Sequence, residues 1–386
     1  MKSRLRPRRT SGTKPLAFVL HSLLGLKLSL LVLFVCFTGT IAVVSDEIEW
    51  MASPKSRASG TDRRVSWETQ YDAARAAFPL YRITYISAGE EPYLATRILA
   101  TSPSGEIRII YVDPATGKVS GDSGFITFRS FVRALHYLLF TPGDWGFYVI
   151  TSLGFVLLGS VITGLLVYKK FWRGFFRMPR TDRGSRLFLG NLHKLFALWS
   201  VWFVVIIALT SVWYFGERIL YRFDIDFEGH HAALNLREWR SPDSQPPKHR
   251  RLDELVLAAQ QALPGLDVKR IVLPSNPSEP VFIEGQGSAW LVRDRTNSVA
   301  LNPYTGAVLS VRRAEDMAGL ERWVHTADPL HFGDFGGLWF KLVWFLFGLI
   351  MCGLALSGAL VYSKRASKAL LKVSRAGLIS AKPAVE

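Results

Sequence analysis

The sequence predicts an α-helical membrane protein with four transmembrane helices, built from a two-fold internal repeat and carrying two small α+β modules outside the membrane. Three observations carry this expectation. Four apolar stretches each reach the roughly 20 residues that crossing a bilayer requires. The chain of 386 residues is written twice, with 16–170 laying over 188–364. The basic residues collect beside one set of span ends only.

The elements follow in order. Residues 1–15 form a basic tail, and 16–44 is the first expected span. Its apolar run exceeds the roughly 7–15 residues of a signal-peptide core, and no small-residue cleavage site follows closely. Residues 45–144 make the first outside module, 145–168 the second span and 169–186 a basic inner loop. The third span is expected at 187–214, the second module at 215–337, the fourth span at 338–362 and a second tail at 363–386.

The repeat is read from matching residues. Leu20-His21 falls on Leu192-His193, Gly25 on Ala197 and Thr38 on Thr210. Gly154, Gly159, Gly164 and Val167-Tyr168 fall on Gly348, Gly353, Gly358 and Val361-Tyr362. Between the spans, the turn Asp113-Pro114-Ala115-Thr116-Gly117 matches Asn302-Pro303-Tyr304-Thr305-Gly306.

The net charge of +16 invites a nucleic-acid partner, but its distribution refuses one. Residues 1–20, 169–194 and 363–386 hold 20 Lys or Arg against two acids, Asp182 and Glu386. The rest of the chain is slightly acidic. By the positive-inside rule the basic side is cytoplasmic. Both termini then lie inside, and the two modules lie in the periplasm, which fits a bacterial inner membrane. Cys36 and Cys352 fall in apolar stretches and read as small buried hydrophobes, with no CxxC site or disulfide framework.

Each outside module reads as a short helix followed by antiparallel strands. In the first, a helical stretch at Trp67–Phe78 precedes alternating runs that end at Ile107–Val112. In the second, Arg251–Leu263 is a helix, and β-branched runs follow at Lys269–Leu273, Val281–Glu284, Ala289–Arg293, Ser298–Leu301 and Ala307–Val311. The helix, the strands and the closing Asp/Asn-Pro-x-Thr-Gly-x-Val turn resemble PepSY modules. Together with Leu330-His331-Phe332-Gly333-Asp334-Phe335-Gly336-Gly337, they make nearly the whole chain similar to the PepSY-associated transmembrane family. That family includes iron-regulated membrane proteins and ferric-siderophore reductases.

The histidines at the span ends carry the chemistry, since ionisable residues in membrane segments are functional candidates. His21 and His193 sit near the cytoplasmic face, and His136 and His331 near the periplasmic face. An axis normal to the membrane relates the members of each pair. Two histidines facing such an axis suit the axial ligation of haem b, with one haem expected at each level. Gly25 and Ala197, four residues beyond the inner histidines on the same helical face, leave room for a porphyrin. The glycines at five-residue spacing read mainly as close helix packing. For the outer level, aligning Gly143-Asp144-Trp145-Gly146 with Gly333-Asp334-Phe335-Gly336 puts His136 beside His325. Aligning Leu135-His136-Tyr137 with Leu330-His331-Phe332 selects His331 instead, and the family motif favours His331. His230, His231 and His249 read as solvated, as do Asp46, Glu47 and Glu49 at the end of the first span.

The resemblance implies a ferric siderophore as electron acceptor in the periplasm. There is no GxGxxG fingerprint, so the donor is expected to be a separate cytoplasmic protein such as a flavoprotein. The alternative is a non-catalytic PepSY membrane protein that binds or regulates a periplasmic peptide or protein.

Overall fold

A computed structural model describes residues 13–60, 64–168, 171–175, 178–179, 181–182, 184–225 and 249–380; side chains are not described at 13–15, 24–27, 171 and 365–380. The chain divides into two compact units. One comprises Met1–Ile41, Leu135–Arg218 and Trp344–Glu386, and the other Ala42–Ala134 and Ile219–Val343.

Two features correct the expected fold class. The first concerns the spans. Among the described residues, three helices are long and apolar enough to cross a membrane: α6 (Trp145–Val167), α7 (Ser185–Tyr221) and the Gly337–Lys364 part of α10 (Gly337–Ser380). The apolar stretch 16–44 is not a fourth span of this kind. It breaks into α1 (Thr13–Lys27), α2 (Ser29–Val43) and α3 (Ser45–Ala52), with interruptions at Leu28 and Val44. No piece reaches the length a straight crossing requires, and α2 and α3 pass the test only as a pair bent by 59°.

The second correction concerns the outside modules. Their strands do not form two separate sheets. They join into one eight-stranded antiparallel sheet in the order β4-β3-β2-β1-β5-β6-β7-β8. The first copy supplies β1 (Arg82–Ser87), β2 (Thr96–Thr101), β3 (Ile107–Val112) and β4 (Val119–Gly124). The second supplies β5 (Asp267–Val272), β6 (Val281–Gln286), β7 (Asn297–Leu301) and β8 (Val308–Arg312). The seam is β1 against β5, where Ile86 faces Ile271. Each copy alone would expose that strand's unpaired backbone groups, and pairing the two copies removes both edges.

The period of two along each strand turns alternate residues inward. The row Ile110, Ile98, Ile86, Ile271, Ile283 and Val299 runs across six strands in direct register, and every member is fully buried. Helices α4 (Trp67–Ala77) and α8 (Leu252–Ala262) cover this row with Ala74, Leu255, Val256 and Ala259. The two helices also cap one another. Glu68 N–H donates to Asp253, and Leu252 N–H donates to Glu68. Acidic side chains at helix N-termini meet both the orphan amides and the dipole there.

The duplicated turns fold alike. Gly117 and Gly306, at φ 73° and 77°, each close a turn by donating to Asp113 or Asn302. Positive φ is the reason both copies carry glycine there. The sheet unit also contains α9 (Gly319–Phe332) and the part of α5 (Phe128–Leu138) up to Ala134, the rest of α5 belonging to the helical unit.

Candidate functional site

In the helical unit, the inner histidines meet. His21 on α1 and His193 on α7 have ring centres 6.3 Å apart, with planes inclined by 69°. A metal-bound imidazole nitrogen lies about 2.0–2.1 Å from the ion. Adding ring radii of ~1.2 Å, two imidazoles on opposite sides of one ion have centres about 6–6.5 Å apart.

Both rings are held by the nitrogen that such an ion does not need. His21 Nδ1 is 3.1 Å from Thr163 Oγ1, and that hydroxyl gives its own proton to the Gly159 carbonyl at 2.6 Å. The hydroxyl is therefore the acceptor, and Nδ1 carries the hydrogen. His193 Nδ1 lies 3.0 Å from the Leu354 carbonyl, which only accepts, and 3.3 Å from Ser357 Oγ. Both neutral imidazoles thus keep the Nε2 lone pair. Orientation of a ligating histidine by a partner on its other nitrogen is the usual second layer of a metal site.

The glycines set how closely the rings approach the helices. A Cβ on Gly164 would stand 3.4 Å from His21 Cε1, and one on Gly358 would stand 3.1 Å from His193 Cε1. Gly154, Gly348 and Gly353 pack helix on helix, as the sequence suggested. Gly154 meets Ala208 and Ser211 of α7, Gly348 meets Thr40 of α2, and Gly353 meets the Phe196 ring. Replacing Gly358 with valine is expected to push His193 off the Leu354 carbonyl while leaving the helices folded. The check is bound-cofactor content and absorption spectrum, with Gly190→Val, which has open space around it, as the control.

Thr163 and Ser357 went unnoticed in the sequence. They occupy equivalent repeat positions, each just before the third glycine, and the coincidence of a hydroxyl in both copies is the signal that finds them. Ala197 is half-buried on α7, four residues beyond His193. Gly25 lies on α1 among the residues whose side-chain surroundings are not described.

His136 also belongs to the helical unit. Its Nδ1 is 3.2 Å from Thr38 Oγ1, and Thr38 donates to the Val35 carbonyl at 3.0 Å, so this ring too carries hydrogen on Nδ1. Its edge lies over Gly39, where a Cβ would stand 2.7 Å from Cε1.

His331 belongs to the sheet unit. It lies in the last turn of α9, which stops at Gly333 with φ 72°. The ring is half-buried, and burial pushes its pKa down to about 4, so it is neutral at pH 7. His325, one and a half turns earlier, is 3% exposed; its Nε2 takes a 2.6 Å hydrogen bond from Arg312 of β8, and its carbonyl accepts from Arg293. The two candidates for the outer position therefore sit in different surroundings.

The three acids expected to be solvated are not. Asp46 is 5% exposed and pairs with Arg97 at 2.9 Å and Arg129 at 2.8 Å. Glu47 accepts from Lys341 and Tyr93, and Glu49 from Tyr111 and the Arg129 amide. Glu90 joins through Arg129 and Lys341. Partners this distant in sequence leave no local pattern. His249 is exposed, as the sequence suggested, with its ring beside Tyr304 at 4.9 Å. His230 and His231 lie outside the described residues.

Asp334 is half-buried, and burial, reinforced by Glu90 and Asp294, raises its pKa from 3.8 to about 7. Between those values the folded protein keeps a proton that the unfolded chain loses. Its contribution is complete below pH 3.8 and lost as pH rises through 7, with an upper bound of about 4 kcal/mol. Asp334→Asn is expected to match the unaltered protein in thermal midpoint at pH 4 and exceed it at pH 8. A midpoint equal or lower at pH 8 would contradict this account.

Among the described residues, no three His, Cys, Asp or Glu side chains gather as a metal cage. The donor set on offer in the helical unit is the His21–His193 imidazole pair, which suits haem iron better than the four-ligand set of structural zinc. A search of curated proteins finds no match. The family model described as the PepSY-associated TM region matches residues 18–365, and the chain belongs to that family of membrane proteins.

Proposed function

We propose that this protein is a di-haem electron carrier of the bacterial inner membrane. It takes electrons from a cytoplasmic donor and reduces a ferric siderophore in the periplasm, releasing ferrous iron. The observation that carries the reading is the His21–His193 pair, with its ring spacing and its duplicated Nδ1 partners. Bound haem supplies one-electron redox chemistry that no side chain here provides. His21 and His193 would hold the inner group through their Nε2 atoms, with Gly25 and Ala197 beside it. By the repeat and the family motif, His136 and His331 are the residues that would hold the outer one. His331 is preferred to His325 because Arg312 already occupies the His325 ring nitrogen that faces it. A hydrocarbon core of about 30 Å separates the faces, which makes sense of histidines at two levels. The basic segments keep both termini and the loop at 169–186 in the cytoplasm, where an acidic flavoprotein can dock.

The test uses purified protein reduced anaerobically with dithionite and freed of excess reductant. Adding a ferric siderophore together with a ferrous chelator should bleach the reduced bands and release iron in proportion. Reduced bands that persist, with no iron captured from hydroxamate, catecholate or carboxylate siderophores, would overturn the acceptor assignment.

One observation favours the alternative, a binding protein for periplasmic peptides. The terminal strand β8 exposes Val308, Leu309 and Val311, an apolar edge on which an extended peptide adds as a ninth strand. A deletion strain with normal growth on every siderophore would favour that reading.

A further inference from the structure

The charged cluster of the sheet unit contains one cation that the site above leaves unused. Arg133 lies half-buried on α5, its guanidinium 5.4 Å over the Phe332 ring. The neighbouring cations are committed: Arg97 and Arg129 to Asp46, Arg129 and Lys341 to Glu90, and Lys341 also to Glu47. Those carboxylates reach Arg133 only by longer-range attraction. Among the described residues, no hydrogen bond or ion pair joins Arg133 to a protein oxygen.

A guanidinium is a planar fork of five donors whose geometry matches a carboxylate. Leaving that fork unanswered in partly desolvated surroundings is unfavourable. Arg129, one turn earlier on the same face, adds positive potential, and burial together with Arg129 lowers the proton affinity of Arg133. Negative charge brought to this point relieves both. The position is also chemically placed, because His136 follows one turn later on α5 and Phe332 directly follows His331.

We propose that Arg133 is a carboxylate-binding residue, stacked on Phe332 and left without an oxygen partner among the described residues, so that a carboxylate of a bound molecule takes its fork. Two sources bring such a group. One is a haem propionate, in which case the inference rests on the haem reading above. The other is a carboxylate on an incoming ferric chelate.

Full-length protein carrying Arg133→Gln or Arg133→Lys separates them. Haem per chain and haem midpoint potential are measured alongside equilibrium binding of ferric citrate and of a ferric trihydroxamate without carboxylates. If the carboxylate is a propionate, the Gln variant loses about half its haem or shifts its potential, and citrate binding is unchanged. If it comes from the chelate, haem is unchanged, the Kd for ferric citrate rises at least tenfold and the trihydroxamate is unaffected. Either result supports the proposal. Unchanged haem, potential and citrate binding in the Gln variant overturn it. A Gln variant that does not fold passes the decision to the Lys variant, which keeps the charge but not the fork, with the same readouts. Unaltered protein that carries no haem ends the haem reading alone. The citrate measurement then decides, tenfold weakening supporting the proposal and an unchanged Kd overturning it.

Discussion

Replacing His21 or His193 by alanine is expected to remove about one haem of two, and the double replacement should remove no more than either single one. On the proposed reading the two rings share one site, so losing either imidazole would empty it and leave the second haem in place. Thr163→Val and Ser357→Ala should act more weakly. Each deletes a hydroxyl that orients a ring through Nδ1, and such partners typically contribute about 10–100-fold in affinity. His193 keeps the Leu354 carbonyl when Ser357 is lost, so Thr163→Val should be the more damaging of the two. Quantitative haem extraction from each variant checks the series. Full haem in both single histidine variants would show that the rings pack against each other without ligating.

Asp46→Ala is expected to give the largest loss of stability. Asp46 answers two guanidiniums in a buried setting, and its removal takes the carboxylate from Arg97 and leaves Arg129 with Glu90 alone. Breaking a buried ion pair from one side typically costs about 3–5 kcal/mol, because the surviving charge has neither water nor partner. Paired replacement should behave differently. Asp46→Leu with Arg129→Met should cost less than the sum of the two single changes, by about 1–3 kcal/mol of coupling. Thermal midpoints of the four proteins in one detergent measure that coupling. Additive losses would mean that water already screens the cluster.

The sequence made some of this legible, for physical reasons. His21 and His193 were legible as a pair because duplication places equivalent side chains about one axis, so two weak signals became one strong signal. The glycines were legible as packing residues because close helix approach tolerates little else. The turns at Asp113 and Asn302 were legible from proline and glycine at fixed offsets.

What stayed hidden depends on contacts between distant segments. The β1–β5 seam joins Ile86 to Ile271, and nothing local in either strand says whether its free edge meets water or the other copy. The breaks at Leu28 and Val44 interrupt a stretch whose apolar composition alone reads as continuous. Asp46, Glu47 and Glu49 looked solvated because their partners Arg97, Arg129, Tyr111 and Lys341 lie far along the chain. The choice between His331 and His325 could not be made by alignment, because both lie on α9 near the same glycine-rich motif. What separates them is the Arg312 hydrogen bond, which has no signature in the sequence.

The measurement that bears most directly on the central claim is the haem-to-protein ratio of the purified full-length chain, by pyridine haemochrome assay against amino-acid analysis. Expression under haem-replete conditions should yield a b-type spectrum at close to two haems per chain. A preparation that is folded, monodisperse and free of haem would contradict the account.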